Sequence, residues 1–200
     1  MSYDGLASRY FNRRLSRPAS SWLARTAVTP NGVTVFTLLL AVAAAAGVAA
    51  GWNIAGGVII QLSSIVDGVD GELARLKNMA TRFGGAFDTV VDRYADAAIL
   101  GGMAVYAARF EDFPRPEVVA ALALGGALTV SYSRARIEAS IGLAAGDGIF
   151  GLASRDVRLL VAAAGAVAGQ CYWTLVVLAC ISWATVAWRL LYMRVRRIGL

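Results

Sequence analysis

Residues 26–66 form a stretch of forty-one positions with no Asp, Glu, Lys or Arg, and no other feature of the chain constrains its fold as much. A helix crossing the hydrocarbon core of a bilayer needs about 20 residues. Forty-one therefore make either one span twice too long or two spans joined by a tight turn. Gly51-Trp52-Asn53 supplies such a turn, which predicts a first membrane helix at about 31–50 and a second at about 53–77. The composition agrees: 58% hydrophobic and 16% charged residues with a mean hydropathy of +0.61 describe an integral membrane protein, not a soluble domain.

The same reasoning carries through the rest of the chain. A short polar link, Lys77 to Arg82, leads to a third helix at about 82–109, and the two prolines of Arg109–Pro116 end it. A fourth helix is expected at about 117–140, followed by a glycine-rich loop over Gly142–Gly151 that contains Asp147. The thirty uncharged residues Leu159–Trp188 are too few for two full spans, but Gly165, Gly169 and Gln170 favour a break. Helices five and six are placed at about 154–169 and 172–194. Residues 1–25 interleave Tyr3, Leu6, Tyr10, Phe11, Leu15 and Trp22 with five arginines, the pattern of an amphipathic helix lying in the membrane interface, with Pro18 expected to break it. That N-terminus lacks the apolar core of a cleaved signal peptide. The expected fold is thus all-α: one membrane domain over residues 1–200, with an interfacial helix before a bundle of six transmembrane helices at about 31–194.

With an even number of spans, one face collects sixteen basic residues and the other only Arg109 and Arg115, so the positive-inside rule puts both termini in the cytoplasm, at the cell membrane. The net charge of +6 flanks apolar runs, which points to lipid headgroups and phosphorylated substrates and away from nucleic acid. Cys171 and Cys180 read as buried free thiols. The absence of histidine removes the usual zinc sites and leaves carboxylates as the available proton acceptors.

Against this background four aspartates stand out: Asp67, Asp70, Asp88 and Asp92. At about 100° per helical residue, Asp67 and Asp70 lie roughly 60° apart on one helix, and Asp88 and Asp92 roughly 40° apart on the next. Each pair shares a face, and both pairs fall near the same side of the membrane. An unpaired aspartate deep in a membrane helix costs about 2.5–3.5 kcal/mol, so four of them call for compensating charge. Divalent cations with oxygen ligands are the natural occupants. Asp96 continues the ladder one turn deeper; pairing with Arg93, metal ligation or no direct ligand all stay open. Glu72 lies off this face and is expected to be solvated or paired with Arg75 or Lys77.

The pattern Asp-x2-Asp-Gly-x2-Ala-Arg-x8-Gly-x3-Asp-x3-Asp, met by Asp67, Asp70, Gly71, Ala74, Arg75, Gly84, Asp88 and Asp92, resembles the signature of the CDP-alcohol phosphotransferases. The resemblance implies transfer of a substituted phosphoryl group from a CDP-linked donor, CDP-diacylglycerol or another CDP-alcohol, to an alcohol hydroxyl, with release of CMP, in phospholipid or phosphodiester-solute synthesis. It implies two divalent cations, Mg2+ or Mn2+, on Asp67, Asp70, Asp88 and Asp92, with Asp92 also the base, in a six-helix bundle that forms a homodimer. Gly71, Ala74 and Arg75 fall in the nucleotide-binding part of this pattern. Arg75 can bind a phosphate or anchor the interface, and Asn31 can face the nucleotide or cap the first helix after Pro30. Arg134, Arg155 and Arg158 suit a phosphate on the acceptor, and similar basic positions in the family go with inositol phosphate. Orientation bias alone also explains such arginines. The competing reading is a divalent-cation transporter or channel, which would spread its acids through the membrane's depth.

Overall fold

A computed structural model describes residues 13–141 and 153–195. The expectations for residues 1–12 and for the Gly142–Gly151 loop with Asp147 lie outside the described residues. Within them the chain is helical throughout: α1 (Arg13–Leu23), α2 (Pro30–Ala49), α3 (Asn53–Leu76), α4 (Arg82–Phe110), α5 (Pro116–Ile141), α6 (Arg155–Val167) and α7 (Cys171–Val195).

The helix ends follow local chemistry. Thr29 caps α2 by accepting from the Gly32 amide at 3.2 Å, ahead of Pro30 in the first turn, where a missing N–H costs nothing. Thr81 caps α4 in the same way through the Gly84 amide at 2.9 Å. The break between α6 and α7 turns on Gly169 at φ +66°, a conformation that glycine adopts without penalty. Glu111, from the α4–α5 turn, then caps α7 from a distance: its two carboxylate oxygens accept from the Cys171 and Tyr172 amides at 2.7 Å each. Negative charge at a helix N-terminus is stabilising.

α2, α3, α5 and α7 are long and apolar enough to cross a membrane. α4 is long enough at 29 residues but carries Asp88, Asp92, Arg93 and Asp96 in its first half. α6 has 13 residues, about 20 Å of helix, less than the hydrocarbon thickness. Four spans, not six, are therefore evident from length and apolarity among the described residues.

α2 packs on α3 and α4, α3 on α6, and α5 on α7 and α4. Ala41, Ala44, Ala95, Ala162, Ala163 and Ala166 let these backbones come close, with Ile60, Ile99, Met103, Leu175 and Leu178 filling the remaining space. Two glycines let backbone meet backbone closely. A Cβ on Gly57 would stand 2.8 Å from the Ala163 carbonyl oxygen, and one on Gly102 would stand 2.8 Å from the Ala45 Cα. Phe36, Leu39, Val58, Leu122 and Leu190 point outward, as lipid-facing side chains do.

Three expectations change here. Pro18 does not break α1 but lies inside it, because the helix is clamped onto α3: Ser16 and Ser20 donate to the Glu72 carboxylate at 3.3 and 2.8 Å. Glu72 is accordingly paired with α1 and not with Arg75 or Lys77, while Lys77 donates to the Thr26 and Val28 carbonyls and ties down the α1–α2 link. Cys171 is buried as expected, but Cys180 is exposed on the outer surface of α7; both are free thiols.

Two substitutions check this packing. Glu111→Ala should lower stability by about 1 kcal/mol through the lost cap, measured by denaturant unfolding in detergent. Gly57→Leu should cost far more, enough to abolish a cooperative melt, because its side chain meets backbone on α6.

Candidate metal and nucleotide site

The acidic stretch gathers where the C-terminal half of α3 meets the N-terminal half of α4. Carboxylate oxygens of Asp67, Asp88 and Asp92 all lie within 4.8 Å of one another. Asp70 adjoins them: it is buried, and it accepts from Thr34 Oγ1 at 2.6 Å and from the Gly71 amide at 2.5 Å. The helical spacing does what it predicts, since two residues three apart on α3 face two residues four apart on α4. An all-carboxylate donor set without sulfur or nitrogen suits a hard dication such as Mg2+ or Mn2+.

Positive charge comes from α6. Arg155 reaches Asp67 at 2.5 Å, Asp92 at 3.0 Å and Asp96 at 3.2 Å. Arg158 is buried, donating to Asp96 at 2.9 Å and to the Ala153 carbonyl at 2.6 Å. Asp96 thus serves as the dock for two arginines some sixty residues away, while Arg93 bonds its own neighbour Asp92 at 3.3 Å. Arg134, on α5, forms an i, i+4 pair with Glu138 at 3.0 Å.

Above the acids the wall is open. A Cβ on Gly85 would meet nothing within 4 Å, and one on Gly71 only the Arg75 guanidinium at 3.7 Å. Neither glycine packs against another helix among the described residues. Gly84 faces Asn31 Oδ1, at 3.5 Å from its would-be Cβ, which brings the exposed Asn31 side chain to the start of α4. Arg75 is exposed and Ala74 half-buried on the last turns of α3. The starts of α2 and α4 meet at Asn31 and Gly84, and α6 begins with Arg155 beside Asp67 and Asp92; a helix N-terminus favours an anion.

Two residues that the motif does not flag stand at this end of the bundle. Thr34 holds Asp70; its signal is the one-turn spacing from Asn31, legible only once the partner helix is known. Arg189 is buried between α5 and α7, donating to the Val130 carbonyl at 2.7 Å and to Ser133 Oγ at 3.0 Å. A lone arginine within an apolar helix is itself a signal.

Comparison with known proteins agrees with the geometry. Residues 27–191 match the CDP-alcohol phosphatidyltransferase family. The bifunctional IPC transferase and DIPP synthase of Rubrobacter xylanophilus is 41% identical over 83% of this chain and 37% of its own length. The chain thus spans little more than a third of that relative. The phosphatidylinositol phosphate synthase of Mycobacteroides abscessus is 36% identical over 82% of this chain and 73% of its own. The crystal structure of Mycobacterium tuberculosis phosphatidylinositol phosphate synthase with CDP-DAG bound superposes with a TM-score of 0.74 at 29% identity, covering 88% of this chain and 92% of that one. The same enzyme in complex with manganese and citrate superposes with a TM-score of 0.69 at 28% identity over 88% and 87%. With its signature aspartates gathered at the meeting of α3 and α4, the chain belongs to the CDP-alcohol phosphatidyltransferase family.

Proposed function

We propose that the protein transfers the substituted phosphoryl group of a CDP-linked lipid, of the CDP-diacylglycerol class, to the hydroxyl of a phosphorylated polyol, inositol phosphate foremost, releasing CMP. The observation that carries this reading is the group of Asp67, Asp88 and Asp92 carboxylates beside Asp70, under an opening floored by Gly71 and Gly85 and faced by arginines. Similarity to enzymes named for inositol phosphate products, one of them solved with CDP-DAG, supports both substrates.

Two dications bound by Asp67, Asp70, Asp88 and Asp92 would supply charge neutralisation for a diphosphate and for the departing CMP. The chain does the rest. Asn31, Gly71, Ala74 and Arg75 would border the nucleotide, Arg75 donating charge-assisted bonds to phosphate. Asp92 would take the proton of the attacking hydroxyl, there being no histidine for the task. Arg134, Arg155 and Arg158 would draw in the acceptor's phosphate, and the N-terminus of α6 favours the same anion. The acids gather at one end of the bundle instead of along its depth, which supports chemistry over conduction.

In the membrane we read α4 and α6 as completing a six-span bundle that pairs as a homodimer in the cell membrane. Arg75, Lys77, Arg82, Arg134, Arg136 and Arg194 share the end that holds the site, while Arg109 and Arg115 lie at the other. That asymmetry supports a cytoplasmic site and cytoplasmic termini.

Purified protein should release CMP from CDP-diacylglycerol in the presence of inositol 1-phosphate. Activity should vanish with EDTA and return with Mg2+ or Mn2+. If only serine or glycerol serves as acceptor in a parallel assay with glycerol 3-phosphate, the phosphorylated-polyol reading fails. Asp92→Asn should lower turnover by about 10²–10⁴-fold while Mn2+ binding, followed by electron paramagnetic resonance, largely survives.

A further inference from the structure

The acidic cluster already contains a cation of its own. Arg155, the first residue of α6, sets Nη1 2.5 Å from Asp67 and 3.0 Å from Asp92, so one guanidinium engages two of the three carboxylates that form the candidate metal group. That Nη1 is buried, yet at neither carboxylate does it meet hydrogen-bond geometry; such alignment is reached only by Nε on Asp96, at 3.2 Å. The guanidinium is therefore lodged between Asp67 and Asp92 as a charge and is anchored by its other edge. Asp96 does not depend on it, because its second oxygen takes Arg158 at 2.9 Å, and Arg158 is fixed in turn by the Ala153 carbonyl at 2.6 Å.

A dication shared by Asp67 and Asp92 would need the oxygens that Arg155 now faces, and a metal and a guanidinium cannot neutralise the same lone pairs together. We infer that Arg155 is a tethered counterion of the acids, displaced from Asp67 and Asp92 when a dication enters, while Arg158 goes on compensating the charge of Asp96. The inference rests on the reading of the site as a dication centre. It gives Asp67 and Asp92 a counter-charge supplied by the chain itself. It also couples two events: a guanidinium that leaves the acids becomes available to an anion, so metal loading primes the basic side of the cavity. By linkage, whatever draws Arg155 off the acids must tighten metal binding to the same degree.

The test is Mn2+ titration of metal-free protein in detergent, with free Mn2+ read by electron paramagnetic resonance, for the parent chain, R155Q and R155K. R155Q is expected to bind Mn2+ about tenfold more tightly than the parent, a usual size for such coupling, and R155K, which keeps the charge, to bind close to the parent. Equal or weaker binding by R155Q overturns the inference. A second measurement uses the unaltered chain: phenylglyoxal labelling mapped by peptide mass. Saturating Mn2+ should speed labelling at Arg155 several-fold and leave Arg158 protected; unchanged or slower labelling at Arg155 counts against displacement. If none of the three proteins binds Mn2+, the dication reading falls together with the inference, whereas equal binding by all three removes the inference alone.

Discussion

Charge neutralisation inside an apolar bundle governs this molecule. Five aspartates, Asp67, Asp70, Asp88, Asp92 and Asp96, are brought together by α3 and α4, and no membrane protein can hold that much negative charge without an answer to it. The answer visible in the chain is α6, whose first turn carries Arg155 and Arg158 into the cluster. This explains why so short a helix is tightly placed: its polar end is held by ion pairs, its middle by Ala163 against Gly57, and the helix that follows it by the Glu111 cap on α7. Each of these is specific to position, so α6 has little freedom to slide along its axis.

The helices were nearly all legible in the chain, because the charge-free runs and the Gly-Pro punctuation report directly on length and turns. Even the weakest boundary, between α6 and α7, fell where Gly169 and Gln170 suggested. What was not legible is pairing between distant residues. Nothing near Pro18 announces that Ser16 and Ser20 will bind Glu72, so a proline that should end a helix is carried through it by tertiary contact. Spacing on α4 could put Asp96 on the right face, yet only the packed bundle brings it to Arg155 and Arg158.

The motif was legible for a different reason: side chains that converge near a helix junction leave their period in the sequence. Asp67, Asp88 and Asp92 converge as their spacing requires, and Asp70 is turned by Thr34 to sit beside Asp88. The glycines behave less uniformly than the pattern suggests. Gly71 and Gly85 border open space, whereas Gly84 lies against Asn31 and Thr81. Close helix packing falls to Gly57 and Gly102, outside the motif altogether. The two sets differ in their surroundings, open space in one case and a neighbouring backbone in the other.

Depth is the last consequence. Asp92 lies ten residues into α4 and Asp67 nine residues before the end of α3, each about 15 Å along its helix. The carboxylates therefore sit about two to three turns inside the end of the bundle where α2 and α4 begin. Charges held that far from the helix ends are poorly screened by salt, so their mutual interactions persist at ionic strengths that would silence a pair on the surface.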